Sequence, residues 1–270
     1  MSNFIDTCIF PVAGKGSRFY PVTKSVPKEL LPVLAKPLIH YAVDEAVAAS
    51  AKNLILITSE NKPAIRHYFS ENEKSHKKLK KLEATISDNN FIYINQEKQL
   101  GLGHAILQAN DYVLSDAFGV ILPDDFCLTT GDNVFQQMAK VYSKYPGHCI
   151  VGIEEVAKEN ISNYGVIAIE SELSANLFRL NGLVEKPEIE KAPSNLAVIG
   201  RYILTKDIFE IIKHTSKSVL GEIQITTALN ILAQQGKVIA YKFIGERFDC
   251  GSVEGYVKAN VRTLKNEQFF

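Results

Sequence analysis

The segment Val12-Ala-Gly-Lys-Gly-Ser-Arg-Phe-Tyr-Pro-Val-Thr-Lys-Ser-Val-Pro-Lys28 follows directly on an apolar run, Thr7 to Val12, that reads as a strand. An α/β sheet opens its ligand crevice beyond the carboxyl end of such a strand. Gly14 and Gly16 let the backbone approach an anion, and successive N–H groups form a concave nest for phosphate oxygens. Ser17 adds a hydroxyl, while Arg18, Lys24 and Lys28 bring fixed cations to the same loop, as a polyphosphate requires. Two better-known phosphate loops do not fit. A dinucleotide fingerprint needs glycine where Phe19 stands, and a P-loop needs Gly-Lys-Ser/Thr at its end.

Outward from this loop, strand and helix patterns alternate. A helix over Leu38 to Ala49 and a strand over Asn53 to Ile57 complete a βαβ beginning. Further strands are expected at Phe91 to Ile94, Gly119 to Leu122, Cys149 to Ile153, Val166 to Glu170, Leu177 to Val184, Ala197 to Leu204 and Val238 to Phe243. Asp132 is expected to cap a helix ending near Lys144 and Asp207 one ending near Lys213, with the last two helices at Glu222 to Gln234 and Ser252 to Leu264. The four strands between Cys149 and Leu204 have few helices between them, which calls for antiparallel pairing grafted onto a parallel sheet. The class is therefore α/β: a mixed, mostly parallel central sheet flanked by helices.

Composition narrows the function. The 270 residues are 46% hydrophobic and 22% charged, enough apolar surface for a large core in one globular domain. Thirty basic residues balance thirty acidic ones, so no partner captured by bulk electrostatics, neither nucleic acid nor an anionic membrane, is expected. The lysines between Glu71 and Glu83 read as a solvated helix face. Cys8, Cys127, Cys149 and Cys250 stand far apart without a CxxC and read as reduced packing thiols. With no secretory n-region and no apolar run near 20 residues, a cytoplasmic location is expected. Motifs of metalloproteases and acyl-enzyme hydrolases are missing.

Gly14-Lys-Gly-Ser-Arg18, Pro21, Lys24, Pro27-Lys-Glu-Leu-Leu-Pro32 and Lys36-Pro37-Leu38 together resemble the signature of sugar-nucleotide pyrophosphorylases, in detail the bacterial UTP–glucose-1-phosphate uridylyltransferases. Gln96 with Gly101-Leu-Gly-His-Ala105, Leu122-Pro-Asp124, Asn163-Tyr-Gly-Val166, Leu183-Val-Glu-Lys-Pro187, Pro193-Ser-Asn-Leu196, Gly221-Glu-Ile-Gln224 and Asp249-Cys-Gly251 continue it in the family's order. Lys15, Ser17 and Tyr20 depart from the leucine, threonine and leucine usual at their places. The resemblance implies a Rossmann-like nucleotidyltransferase fold of the glycosyltransferase-A type. With no Pro/Gly/Ser linker and no internal repeat, a single domain over 1–270 is expected, with a nucleotide-binding half to about 130 and a sugar-binding half from about 131.

Residue by residue, the resemblance places uracil near the backbone of Ala13 and Gly14, with the Gln96 side chain and the Gly101 backbone reading its edge. An amide suits that task, because it offers both a donor and an acceptor. Gly16 and Ser17 belong to the nucleotide site. Asp124 and Asp249 would share one Mg²⁺, a cation that takes one or two carboxylates plus substrate phosphate; adjacent Asp125 is the alternative ligand. Glu185 would accept bonds from glucose hydroxyls, and Lys186 would contact the sugar 1-phosphate or the nucleotide α-phosphate. A residue before proline favours extended backbone, which would send these two side chains to opposite sides. Gly165 would offer backbone to the sugar and Thr226 a hydroxyl. Arg18, Lys28, Asp124 and Lys186 are the expected catalytic set. The implied reaction converts UTP and glucose 1-phosphate to UDP-glucose and pyrophosphate, in a homodimer or homotetramer. A relative using dTTP or another hexose phosphate, or a non-catalytic UDP-sugar sensor, is the alternative.

Overall fold

The computed structural model describes residues 5–70, 79–218 and 221–265; positions 71–78 of the lysine-rich run lie outside them. In chain order the elements are β1 (Thr7–Pro11), β2 (Pro32–Val33), β3 (Lys36–Pro37), α1 (Leu38–Ala48), β4 (Asn53–Thr58), α2 (Pro63–Tyr68), α3 (Lys80–Ser87), β5 (Asn90–Asn95) and α4 (Leu102–Leu107). There follow β6 (Ala117–Ile121), β7 (Asp125–Leu128), α5 (Val134–Lys144), β8 (Cys149–Glu155), β9 (Gly165–Ser174), β10 (Leu177–Glu185), β11 (Leu196–Thr205), α6 (Ile208–His214), α7 (Ile225–Gln234), β12 (Val238–Lys242), β13 (Glu246–Asp249) and α8 (Val253–Leu264).

One nine-stranded sheet, ordered β5-β4-β1-β6-β11-β8-β12-β10-β9, runs through the molecule. β5, β4, β1 and β6 pair in parallel, as do β8 and β12, whereas β10 and β11 run against their neighbours. The mixed, mostly parallel sheet expected from the strand pattern is thus observed, with the antiparallel part where few helices separate the strands.

Alternation along each central strand feeds two cores. Ile9, Ile55, Ile57, Phe118 and Val120 face one side, beneath α4, α6 and α7. Cys8, Phe10, Leu54, Leu56 and Ile121 face the other, beneath α1, α2, α3 and α5. Each such side chain is worth about 1.5–3 kcal/mol on full burial, so a register slip that exposed one face would be prohibitive. A third, smaller core joins Phe19, Leu31, Val33, Phe126, Phe248 and Ala259. It packs the segment after β1 against β7, β13 and α8, at one corner of the sheet.

Helix starts depart from the sequence reading in ways the hydrogen bonds explain. The expected cap at Asp132 moves to Asn133, whose side chain accepts the Gln136 N–H at 2.7 Å while the Gln136 side chain accepts the Asn133 N–H at 3.0 Å, a capping box. Asp207 does precede α6, but its carboxylate accepts from the Thr205 hydroxyl and makes no cap bond. α7 starts at Ile225 rather than Glu222. The preceding backbone is committed elsewhere: the Ile223 N–H donates to Leu100 O at 2.7 Å, and Ile223 O accepts the Gly103 N–H at 2.9 Å.

Candidate active site

The Gly-rich segment leaves β1 and folds into three short 3-10 turns, Ser17–Phe19, Val22–Lys24 and Lys28–Leu30. Gly16 takes φ +67°, a left-handed conformation that costs other residues energy. Its carbonyl accepts the Thr23 hydroxyl at 2.7 Å, which closes the loop on itself. Beneath it, the buried Lys62 ammonium donates to Val12 O at 2.8 Å and to Glu29 at 2.7 Å. Sequence reasoning missed this pair, because Lys62 lies outside every motif. A cleft of about 730 Å³ opens beside the loop and includes Ala13, Lys15, Lys24, Lys62 and Gln99 in its walls. Ser17 and Arg18 are exposed at its turn.

Across the loop, charged groups converge. Lys28 Nζ donates to Asp124 Oδ2 at 2.5 Å, and Arg18 Nη1 to Gly251 O at 3.3 Å. A Cβ added at Gly251 would lie 2.9 Å from Asp249 Oδ1, 3.1 Å from Asp124 Oδ2 and 3.3 Å from Arg18 Nη1. Glycine keeps open the space where these three side chains meet. The short ladder of β7 and β13, which pairs Asp125 with Asp249, creates this meeting, and Cys250 N–H seals it on Asp124 O at 2.7 Å. Burial opposes charge on both Lys28 and Asp124, yet each outweighs that cost for the other. The ammonium is held above its ordinary pKa and the carboxyl below its own. Asp249 moves up, through burial and the carboxylates of Asp125 and Asp124.

Two carboxylates turned to one open space suit a hard divalent cation that takes its remaining ligands from phosphate and water. Asp125, the alternative ligand, is spent elsewhere: Oδ2 accepts the Gly200 N–H at 2.5 Å and Oδ1 accepts Arg247 Nε at 2.6 Å. Arg247 also binds Glu154 and lies 5.1 Å over the Tyr164 ring. It thereby links the Asp249 strand to the turn preceding Gly165. Its position inside Arg-Phe-Asp-Cys-Gly was the available signal.

Three of the residues expected at a sugar come together at that turn. Gly165 pairs with Glu185, the Thr226 hydroxyl donates to Glu185 Oε2 at 2.6 Å, and a Cβ on Gly165 would be 3.2 Å from both side chains. Lys186 corrects the expectation of extended backbone: its φ is +45°, and its N–H donates to Tyr164 O at 3.0 Å. Proline does not prevent this: the bond to Tyr164 is a long-range tie between the end of β10 and the residue before β9, and it holds the conformation. Consequently the two side chains do not diverge, and Lys186 Nζ stands 3.8 Å from Glu185 Oε1.

At the expected uracil edge, the Gln99 side chain, not among the predicted residues, donates to the Ala13 carbonyl at 2.6 Å. The Gln96 amide is buried and contacts His104 Nδ1 at 2.8 Å, so the histidine orients the glutamine. Gln99 lies outside every motif of the resemblance, so the sequence offered no signal for it. Gly101, at φ +94°, has Ile223 O 2.9 Å from where its Cβ would be. The glycine is therefore needed for packing against the Gly221-Glu-Ile-Gln224 segment, whatever lies on its other side. Gly14 has Lys28 Cε 3.8 Å from its own would-be Cβ.

Comparisons with known proteins identify the family. The family model described as nucleotidyl transferase matches residues 9–266. A UTP–glucose-1-phosphate uridylyltransferase of Pseudomonas aeruginosa is 47% identical over 266 residues, 94% of each chain. A crystal structure of UDP-glucose pyrophosphorylase complexed with UDP-glucose superposes with a TM-score of 0.92 at 46% identity, covering 98% of this chain and 100% of that one. UTP-bound UGPase from Acinetobacter baumannii does so at 0.85 and 34% identity, over 96% and 93%. The glycine-rich loop, the Asp124–Asp249 corner and the match along nearly all of the chain lead to one conclusion: it belongs to the nucleotidyl transferase family, among the UTP–glucose-1-phosphate uridylyltransferases.

Proposed function

We propose that glucose 1-phosphate attacks the α-phosphorus of UTP in line, giving UDP-glucose and pyrophosphate without a covalent enzyme intermediate. The meeting of Arg18, Lys28, Asp124 and Asp249 around Gly251 carries this reading. The attacking phosphate oxygen is anionic at neutral pH and needs no general base. The enzyme's task is to hold two phosphates together and to stabilise charge on the leaving pyrophosphate. Arg18 and Lys28 face that charge from the loop, and Lys186 approaches from the sugar side. Asp124 and Asp249 would hold Mg²⁺, which supplies charge neutralisation and a template for phosphate oxygens when bound.

Glu185 and Thr226 form the acceptor and donor pair for glucose hydroxyls, with Gly165 giving them room. Ala13, Gly14, Gln96 and Gly101 hold the base, and Gly16 and Ser17 the phosphates. We read a nucleotide-binding half over about 1–130 and a sugar-binding half over about 131–270. A homodimer or homotetramer is supported by the exposed stripe Val253, Val257, Val261 and Leu264 on α8, one helical face, and is tested by light scattering. All four cysteines are free, which suits a reducing cytoplasm.

The test is pyrophosphate release with Mg²⁺, with UTP, dTTP, ATP, CTP and GTP each offered glucose 1-phosphate and galactose 1-phosphate. Preferred turnover of UTP with glucose 1-phosphate is expected. Preference for dTTP or galactose 1-phosphate would replace the substrate assignment, and binding of UDP-glucose without turnover would leave a sensor.

A further inference from the structure

We infer that Arg201 is a positioning residue for the phosphate-transfer corner: it holds the Leu122–Asp125 turn, and so aims the Asp124 carboxylate. Arg201 lies in β11 and is 2% exposed, so its donors must be satisfied within the fold. A guanidinium has five N–H donors in a rigid fork, and five contacts take them. Nε and Nη2 donate to the two Glu45 carboxylate oxygens at 3.0 and 2.9 Å. Nη1 donates to Leu122 O at 3.0 Å and Gly200 O at 3.3 Å, and Nη2 donates to Asp125 O at 2.8 Å. The carbonyls of Leu122 and Asp125 bracket Asp124, so both ends of its turn are fixed to one planar group.

The same turn is pinned again from β11, where Leu122 N–H donates to Gly200 O at 2.8 Å and Gly200 N–H donates to the Asp125 carboxylate. A buried ion pair is seldom better for stability than apolar side chains of equal volume. Here the guanidinium does what an apolar side chain could not, because two turn carbonyls need donors from a single rigid centre. Glu45 balances its charge from α1, and burial, which disfavours that charge, is outweighed by Glu45. The inference rests on the assignment of Asp124 to the metal and phosphates.

Two substitutions reach the turn by different routes. Arg201→Lys keeps a cation for Glu45, but its ammonium cannot span both carbonyls. Gly200→Ala leaves the ion pair intact, yet its Cβ would lie 2.6 Å from both Asp125 Oδ2 and Leu122 Cβ, which pushes the turn. Each is expected to lower kcat per folded molecule by at least about tenfold while KM for glucose 1-phosphate stays within about threefold, since a shift near 1 Å costs up to about 10²-fold. Mn²⁺ held together with UTP, read by electron paramagnetic resonance, is expected to bind about tenfold more weakly in both. If kcat and Mn²⁺ affinity in Gly200→Ala stay within about twofold of the parent, the turn's position does not matter and the inference fails, whether or not Arg201→Lys folds. Asp124→Asn, measured alongside, separates the premise: an active Asp124→Asn removes the assignment of Asp124, whereas an inert one with unaffected Gly200→Ala removes only the role of Arg201.

Discussion

The corner proposed for the phosphates and the turn proposed for the sugar are built on different principles, although a single side chain, Arg247, touches the supports of both. At the corner, Asp124 and Asp249 rest on a β7–β13 ladder braced from below by buried ion pairs, Arg201 with Glu45 and Arg247 with Asp125. At the sugar turn, Glu185 has a neutral partner, Thr226, and an exposed cation, Lys186, whose backbone is left-handed. Where charge must be stabilised in a transition state, prior orientation of the groups saves reorganisation during reaction. A hexose hydroxyl is neutral in both ground and transition states, so accessible hydrogen-bonding groups suffice. Loss of one partner from a buried pair costs about 3–5 kcal/mol, a scale at which the corner tolerates little change.

That contrast is open to direct attack. Chelation of divalent cations by EDTA is expected to abolish turnover, with full recovery on adding Mg²⁺; residual activity in excess chelator would remove the cation from the mechanism. Asp124→Asn should lower kcat by about 10²-fold or more, and Arg18→Ala by a similar order, without loss of the folded circular dichroism spectrum. Near-parental turnover in either would empty the corner of its role. Glu185→Gln should act mainly on KM for glucose 1-phosphate, raising it about tenfold, the scale of one hydrogen bond to a charged group. If it reduces kcat as severely as Asp124→Asn does, the two regions are not separate in function. Thr226→Val, which removes one hydroxyl, is expected to raise the same KM by about two- to fivefold, and an unchanged value would make Thr226 a support for Glu185 only.

Legibility followed distance along the chain. Arg18, Lys28 and the loop glycines sit within one short run after a strand, so their common task could be read from residue types alone. The convergence of Asp124 with Asp249 was implied by resemblance, but its cause was hidden: β7 and β13 are four-residue strands, too short for a periodicity. Gly101 is needed for a second reason that the sequence does not show: its Cβ space is taken by Ile223, more than a hundred positions later. Arg201 and Glu45 are 156 positions apart, and each looks like an ordinary surface charge in sequence. Lys186 shows the limit of a local rule: the preference of a residue before proline for extended backbone yields where a long-range bond to Tyr164 fixes the end of β10.

Two kinds of information separate along the same line. The alternation of apolar residues in β1, β4 and β6, the α/β succession and the cationic loop after the first strand depend only on neighbours in the chain, because a strand presents successive side chains to opposite faces. Those features were determined by the amino acids in order. The commitment of the Asp125 carboxylate to Gly200 and Arg247, the bond of Gln99 to the Ala13 carbonyl, and the buried arginines beneath the corner depend on which remote segments the sheet brings into contact. Burial then turns unremarkable charged residues into committed pairs, since a charge removed from water must find its partner within the fold.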